Sequence, residues 1–139
     1  MLEIYTKLDK IDNVTITKIQ DYDKRYYYDS IKVFFNDIVQ NDNPLTIFAP
    51  NCDIFLVLTE NKLCGIIATY KTDDGLFTVI SGHPCISHDC WKKGLDTLKE
   101  FAKVNGIKKI YGDVYNKILV HRLKELGFKK EFIRMYIDA

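Results

Sequence analysis

The stretch Asn116-Lys117-Ile118-Leu119-Val120-His121-Arg122-Leu123-Lys124-Glu125-Leu126-Gly127-Phe128 carries a helix start, a helical register and a helix stop. Asn is a favoured N-cap, because its side-chain oxygen accepts from an N–H of the first turn. Leu119, Leu123 and Leu126 recur at spacings of four and three, which places them on one apolar stripe. Gly127 tolerates the left-handed conformation that ends a helix. Phe128 then opens a closing strand that is read to run to residue 138.

Working upstream, residues 107–115 contain a strand centred on Ile110-Tyr111. Asn105-Gly106 stops the helix before it. In that long helix Trp91, Leu95, Leu98 and Ala102 share one face, with Phe101 at its edge, and Ser87 or Asp89 is the cap. Three apolar strands come before it. Residues 54–59 and 63–70 are joined by a tight turn at Glu60-Asn61-Lys62, with Gly65 placed for a bulge. Thr72-Asp73-Asp74-Gly75 is a hairpin turn into residues 76–82. Near the N-terminus Val14-Thr15-Ile16-Thr17-Lys18-Ile19 alternates as a strand. A helix capped by Asp21 or Asp23 then buries Ile31, Phe34, Phe35, Ile38 and Val39. It stops at Asn41-Asp42-Asn43-Pro44, and residues 45–49 read as a short extended piece. The order is β-α-β-β-β-α-β-α-β in one domain spanning residues 1–139, of α/β (α+β) class.

Composition narrows the function classes. With 47% hydrophobic and 28% charged residues, the chain can bury a core without staples. A formal net charge of +1 gives no field for nucleic acid or an acidic membrane. The lysine pairs 92–93, 108–109 and 129–130 are scattered and balanced by acids, so no nucleic-acid partner is expected. No stretch reads as a membrane span or a signal peptide, which makes a cytoplasmic protein with reduced thiols the expectation. His83-x-Cys85-x-x-His88-x-Cys90 holds zinc-type ligands, but one short loop cannot wrap four of them around a tetrahedral ion, so no metal is expected. Cys64, in an apolar run, reads as a small hydrophobe.

Asn116, Gly127 eleven residues later, Phe128 and the following Lys129-Lys130-Glu131 resemble the closing motif of the GNAT acetyltransferases. The element order upstream is similar to that family as well. The resemblance implies a mixed, mostly antiparallel twisted sheet of roughly six to seven strands flanked by about four helices. It implies acetyl-CoA as co-substrate, inserted between strand 76–82 and strand 110–115 where they splay apart. The cofactor pyrophosphate would rest on the loop that begins the central helix, where backbone N–H groups and the helix dipole favour an anion.

On this reading the cofactor-binding candidates are Ile80, Ser81, His88, Asp89, Cys90, Trp91, Lys92, Lys93 and Asn116. A backbone N–H near Ile80 or Ser81 would hold the oxyanion. The catalytic candidates are His83 and Asp113 as base and Tyr115 as acid, with Tyr111 on the same strand as the alternative acid. An amine of pKa about 10 must lose a proton before it attacks, and the departing thiolate must gain one.

The chain departs from the family at two places. Its loop, residues 84–94, keeps only Gly94 of the usual glycines. Leu123 stands where many members carry a Tyr seven positions after the Asn. A second reading follows: a short GNAT-fold protein, similar to phage-encoded ones, that serves as a binding or assembly module. The run Tyr26-Tyr27-Tyr28 would suit a homodimer interface.

Overall fold

Alternation in the central strands sorts their side chains between two cores. The computed structural model describes residues 2–39, 51–113, 117–131 and 134–139. Strands β1 (Thr15–Lys18), β2 (Cys52–Thr59), β3 (Lys62–Lys71), β4 (Leu76–Gly82), β5 (Lys109–Asp113), β6 (Lys129–Glu131) and β7 (Arg134–Asp138) form one seven-stranded sheet of order β1-β2-β3-β4-β5-β7-β6. Among these seven strands, β4 and β5 are the pair that runs parallel. Ile54, Leu56, Ile66 and Ala68 pack against Ile31, Phe34 and Phe35 of the first helical body. Phe55, Val57, Ile67, Leu76 and Ile110 pack against Leu95, Leu98 and Ala102 of α2 (His88–Val104) and Leu123 of α3 (Lys117–Glu125). The sheet is therefore a layer between helices, as its period of two requires.

Several local signals act as read. Glu60 and Asn61, both at positive φ, make the tight hairpin turn between β2 and β3. The β2–β3 register shifts by one residue at Val57/Leu58, where Gly65 still pairs with Val57 and Leu63 pairs with Leu58. The extra residue is thus Cys64, beside the expected glycine. The helix stops after α2 and α3 are each double hydrogen-bonded: Ile107 N–H to Ala102 O and Gly106 N–H to Lys103 O, then Phe128 N–H to Leu123 O and Gly127 N–H to Lys124 O. Gly106 and Gly127 take φ of 69° and 99° to allow this.

Other expectations are corrected. The closing strand is two strands, β6 and β7, which pair antiparallel with Glu131 opposite Arg134. A continuous apolar-rich run cannot reveal such a fold-back by periodicity alone. Three α-helices occur among the described residues, fewer than expected. The reason is that a 3₁₀ turn (Asp21–Asp23), α1 (Lys24–Phe34) and a π turn (Phe35–Val39) run on as one helical body. Neither aspartate caps it through its side chain; Asp21 instead pairs with the buried Lys24 at 3.1 Å. Residues 45–49, read as extended, lie outside the described residues. The tyrosine run divides: Tyr26 is exposed, while Tyr27 and Tyr28 are half-buried.

The N-terminal residues, which carried no structural signal in the sequence, form a strap under one end of the sheet. Tyr5 N–H donates to Leu63 O, and Leu63 N–H donates to Glu3 O. Farther along, Ile11 N–H donates to Cys85 O and Ser87 N–H to Ile11 O. Tyr5, Ile11 and Val14 are buried by this crossing. No helix among the described residues is long and apolar enough to cross a membrane.

Candidate functional site: an apolar cleft between the sheet and two helices

Among the described residues the parallel ladder joins Leu76, Phe77 and Thr78 to Ile110, Tyr111 and Gly112. Thr78 secures its end, donating from Oγ1 to Tyr111 O at 2.8 Å. β4 continues to Gly82, still paired with β3 on its other side. His83 N–H donates to Cys64 O, which fixes the phase of that antiparallel ladder. By alternation, the N–H and C=O of Val79 and Ser81 face β3, while those of Ile80 and Gly82 face the side of β5. The first backbone donor on that side beyond the described ladder is the N–H of Ile80. Of the two positions considered for an oxyanion donor, this geometry favours Ile80.

Beside β4 a narrow apolar cleft of about 40 Å³ lies between the sheet and the helices α2 and α3. Ile80, Ser81 and Gly82 line it from β4, Cys90, Trp91 and Gly94 from α2, and Leu123 from α3. Gly82 permits a close approach, since a Cβ there would lie 3.0 Å from Ile86 Cδ1 and 3.4 Å from Trp91 Cζ2. Gly94 lies inside α2, not in the loop. A Cβ there would be in ordinary van der Waals contact with Ile67 Cδ1, at 3.6 Å. Leu123, buried against Gly112, presents no proton to the cleft.

The start of α2 is partly satisfied from within. Ser87 is its N-cap, with Oγ accepting from Cys90 N–H at 3.3 Å. Ser87 N–H is taken by Ile11 O, so His88 and Asp89 supply the remaining first-turn donors. His88, Asp89 and Lys92 are exposed there. Lys93 is occupied elsewhere, donating from Nζ to Val14 O.

His83 does not reach the cleft. It is 2% exposed, its Nδ1 accepts from Cys85 N–H at 3.0 Å, and its ring meets Tyr5 edge-on at 5.4 Å. Burial pushes its pKa below the usual value, with a hydrogen bond to the Lys7 backbone opposing. A neutral imidazole held this way anchors the strap. Asp113 ends β5, opposite Arg134 and next to Gly112, the last described partner of β4. Tyr115 and Asn116 lie outside the described residues. Cys64 is a buried thiol pushed up to about 12, by burial first and by Cys90 second. Among the described residues no three His, Cys, Asp or Glu side chains cluster as metal ligands.

Sequence reading did not find Arg122. Its Nη1 donates to Ile86 O at 3.1 Å, and its guanidinium lies 5.5 Å from the centre of the Trp91 ring. Beside it Glu125 meets His121 at 2.7 Å and His88 at 3.7 Å, so α3 is latched to the start of α2. An Arg on a helix stripe otherwise reads as a solvated residue. Only the tertiary contact gives it a place at the cleft.

No protein-family model and no curated protein sequence matches the chain. Solved structures do. The PaiA N-acetyltransferase of Thermoplasma acidophilum, in complex with coenzyme A, aligns over 92% of this chain and 100% of its own, with TM-score 0.65 and 14% identity. The ribosomal-protein-S18-alanine N-acetyltransferase of Escherichia coli aligns over 91% and 94%, with TM-score 0.64 and 15% identity. Mutant forms of the spermidine/spermine N-acetyltransferase SpeG of Vibrio cholerae align over 91% and 95%, with TM-score 0.59 and 18% identity. The chain has the GNAT acetyltransferase fold.

Proposed function

We propose that the protein is an N-acyltransferase that moves an acetyl group from acetyl-CoA to a primary amine. The observation that carries this reading is that, among the described residues, the pairing of β4 with β5 ends at Thr78, while Ile80 and Gly82 beyond it line an apolar cleft. A pantetheine arm is a chain of amides and methylenes, so it suits an open strand edge beside apolar side chains. That the PaiA protein was solved with coenzyme A supports the same choice of donor.

The amine nitrogen attacks the thioester carbonyl carbon and the C=O pair moves onto oxygen. Ile80 N–H would stabilise that oxyanion. The C–S bond then breaks and the thiolate takes a proton as the amine nitrogen loses one. Asp113, at the end of β5, is our candidate for the base, in place of the enclosed His83. Tyr115 remains the acid candidate, since Leu123 cannot serve.

A second reading has its own observation. Leu123 in the cleft and a first turn of α2 without glycines suit a GNAT-fold module that binds without turning over.

The test is the thermal midpoint with and without acetyl-CoA, with adenosine as control. Ligand at 100 times its Kd should add about 2.7 kcal/mol and raise the midpoint of a domain this size by several degrees. Release of free thiol with an amine panel then separates the two readings. A shift without turnover favours the module, and no shift sinks the acyltransferase reading.

A further inference from the structure

Arg122 stands in an electrostatically unfavourable place. Its guanidinium is hydrogen-bonded to the carbonyl of Ile86, next to the N-cap of α2, where the helix dipole is positive and opposes a cation. Among the described residues no carboxylate lies within ion-pair distance of it. Glu125, one turn on, is already shared by His121 and His88. What holds Arg122 is a neutral carbonyl and the face of Trp91. Trp91 in turn lies over Gly82, at the end of the cleft.

We propose that Arg122 is the residue that binds the diphosphate of the acyl donor, and that its stack on Trp91 is the closed position of the cleft mouth. The inference rests on the acyl-CoA reading above. A diphosphate arriving at the mouth supplies the counter-charge that Arg122 lacks, beside Asp89 in the exposed first turn of α2. The planar guanidinium matches phosphate oxygens with two parallel N–H bonds, which a carbonyl cannot offer in return. Exchanging Ile86 O for phosphate costs one hydrogen bond to a neutral acceptor and gains charge-assisted ones. Lys93 is committed to Val14 O. Arg122 would thus do the work that close backbone approach does in a glycine-rich loop.

Trp91 is the single tryptophan of the chain, so its fluorescence reports on the mouth directly. The experiment titrates acetyl-CoA and acetyl-pantetheine, which lacks the diphosphate, into the wild type, Arg122→Gln and Arg122→Lys, each checked for cooperative melting. Arg122→Gln should weaken acetyl-CoA by about ten- to a hundredfold and leave acetyl-pantetheine unchanged. Arg122→Lys, which keeps the charge without the fork, should fall between. Equal acetyl-CoA affinity in wild type and Arg122→Gln overturns the inference and leaves the acyl-donor reading standing. An equal loss for both ligands also overturns it, because Arg122 would then support the cleft and not the phosphate. A wild type that binds neither ligand overturns the acyl-donor reading and this inference with it.

Discussion

The two walls of the cleft are joined to the rest of the molecule in different ways. β4 is paired with β3 along its whole length, and the loop beyond it is stitched to Ile11 of the strap and capped by Ser87. On the other wall, α3 reaches the start of α2 through Arg122 and Glu125. One wall is held by backbone hydrogen bonds among buried groups and the other, at the mouth, by exposed or half-exposed side chains. The comparison teaches that the fixed wall can present a preset donor at Ile80, while the α3 wall is the one able to yield to a ligand.

The largest expected effect concerns the point where the walls part. Asp113→Asn keeps the size of the side chain but removes its basicity, and should lower kcat/KM for amine acetylation by about 10²- to 10⁴-fold. A variant as fast as the wild type would return the base to another group or to water. Next comes the fixed wall. Ile11 is 2% exposed, so Ile11→Ala should cost about 2–5 kcal/mol in urea unfolding. A cost below half a kcal/mol would mean that the strap is not part of that wall.

A smaller effect follows from His83. Its folded-state pKa lies below the usual 6.5, so the unfolded chain takes up the proton first as pH falls. The stability this histidine supports is complete above about pH 6.5 and is lost as pH falls through the folded value. The thermal midpoint of the wild type should therefore drop on acidification from pH 7 to 5, and His83→Gln should show a shallower slope. Parallel slopes would dissociate the anchor from the pH response. The smallest effect belongs to the movable wall. Glu125→Gln breaks contacts with two half-exposed or exposed histidines and should change stability by no more than about 1 kcal/mol. A larger loss would show that α3 is held as firmly as β4.

Much of the frame was legible along the chain because it is written in local chemistry. Ser87 caps α2, Gly106 and Gly127 end helices, and the turn at Glu60 and Asn61 closes a hairpin, each within a few residues. The candidate site was legible in part. Ile80, Ser81, Cys90 and Trp91 do line the cleft, as their positions relative to strand and helix ends suggested. His83 was drawn to the site by its pKa and its place after β4, yet Tyr5 and Cys85 enclose it. Lys93 was read as a cofactor contact, and its Nζ donates to Val14 O. Both misreadings trace to the strap, whose partners lie some eighty residues away in sequence and leave no periodic mark.

The sequence by itself determined the order of the elements, their caps and the apolar faces that build two cores, because helix and strand periods and turn residues act over short range. The tertiary structure alone decided where the described pairing of β4 with β5 ends, how the last strand folds back, and that the N-terminal strap and Arg122 converge on the start of α2. Those outcomes depend on register and on contacts between distant segments, whose energies are settled only when the whole sheet is assembled.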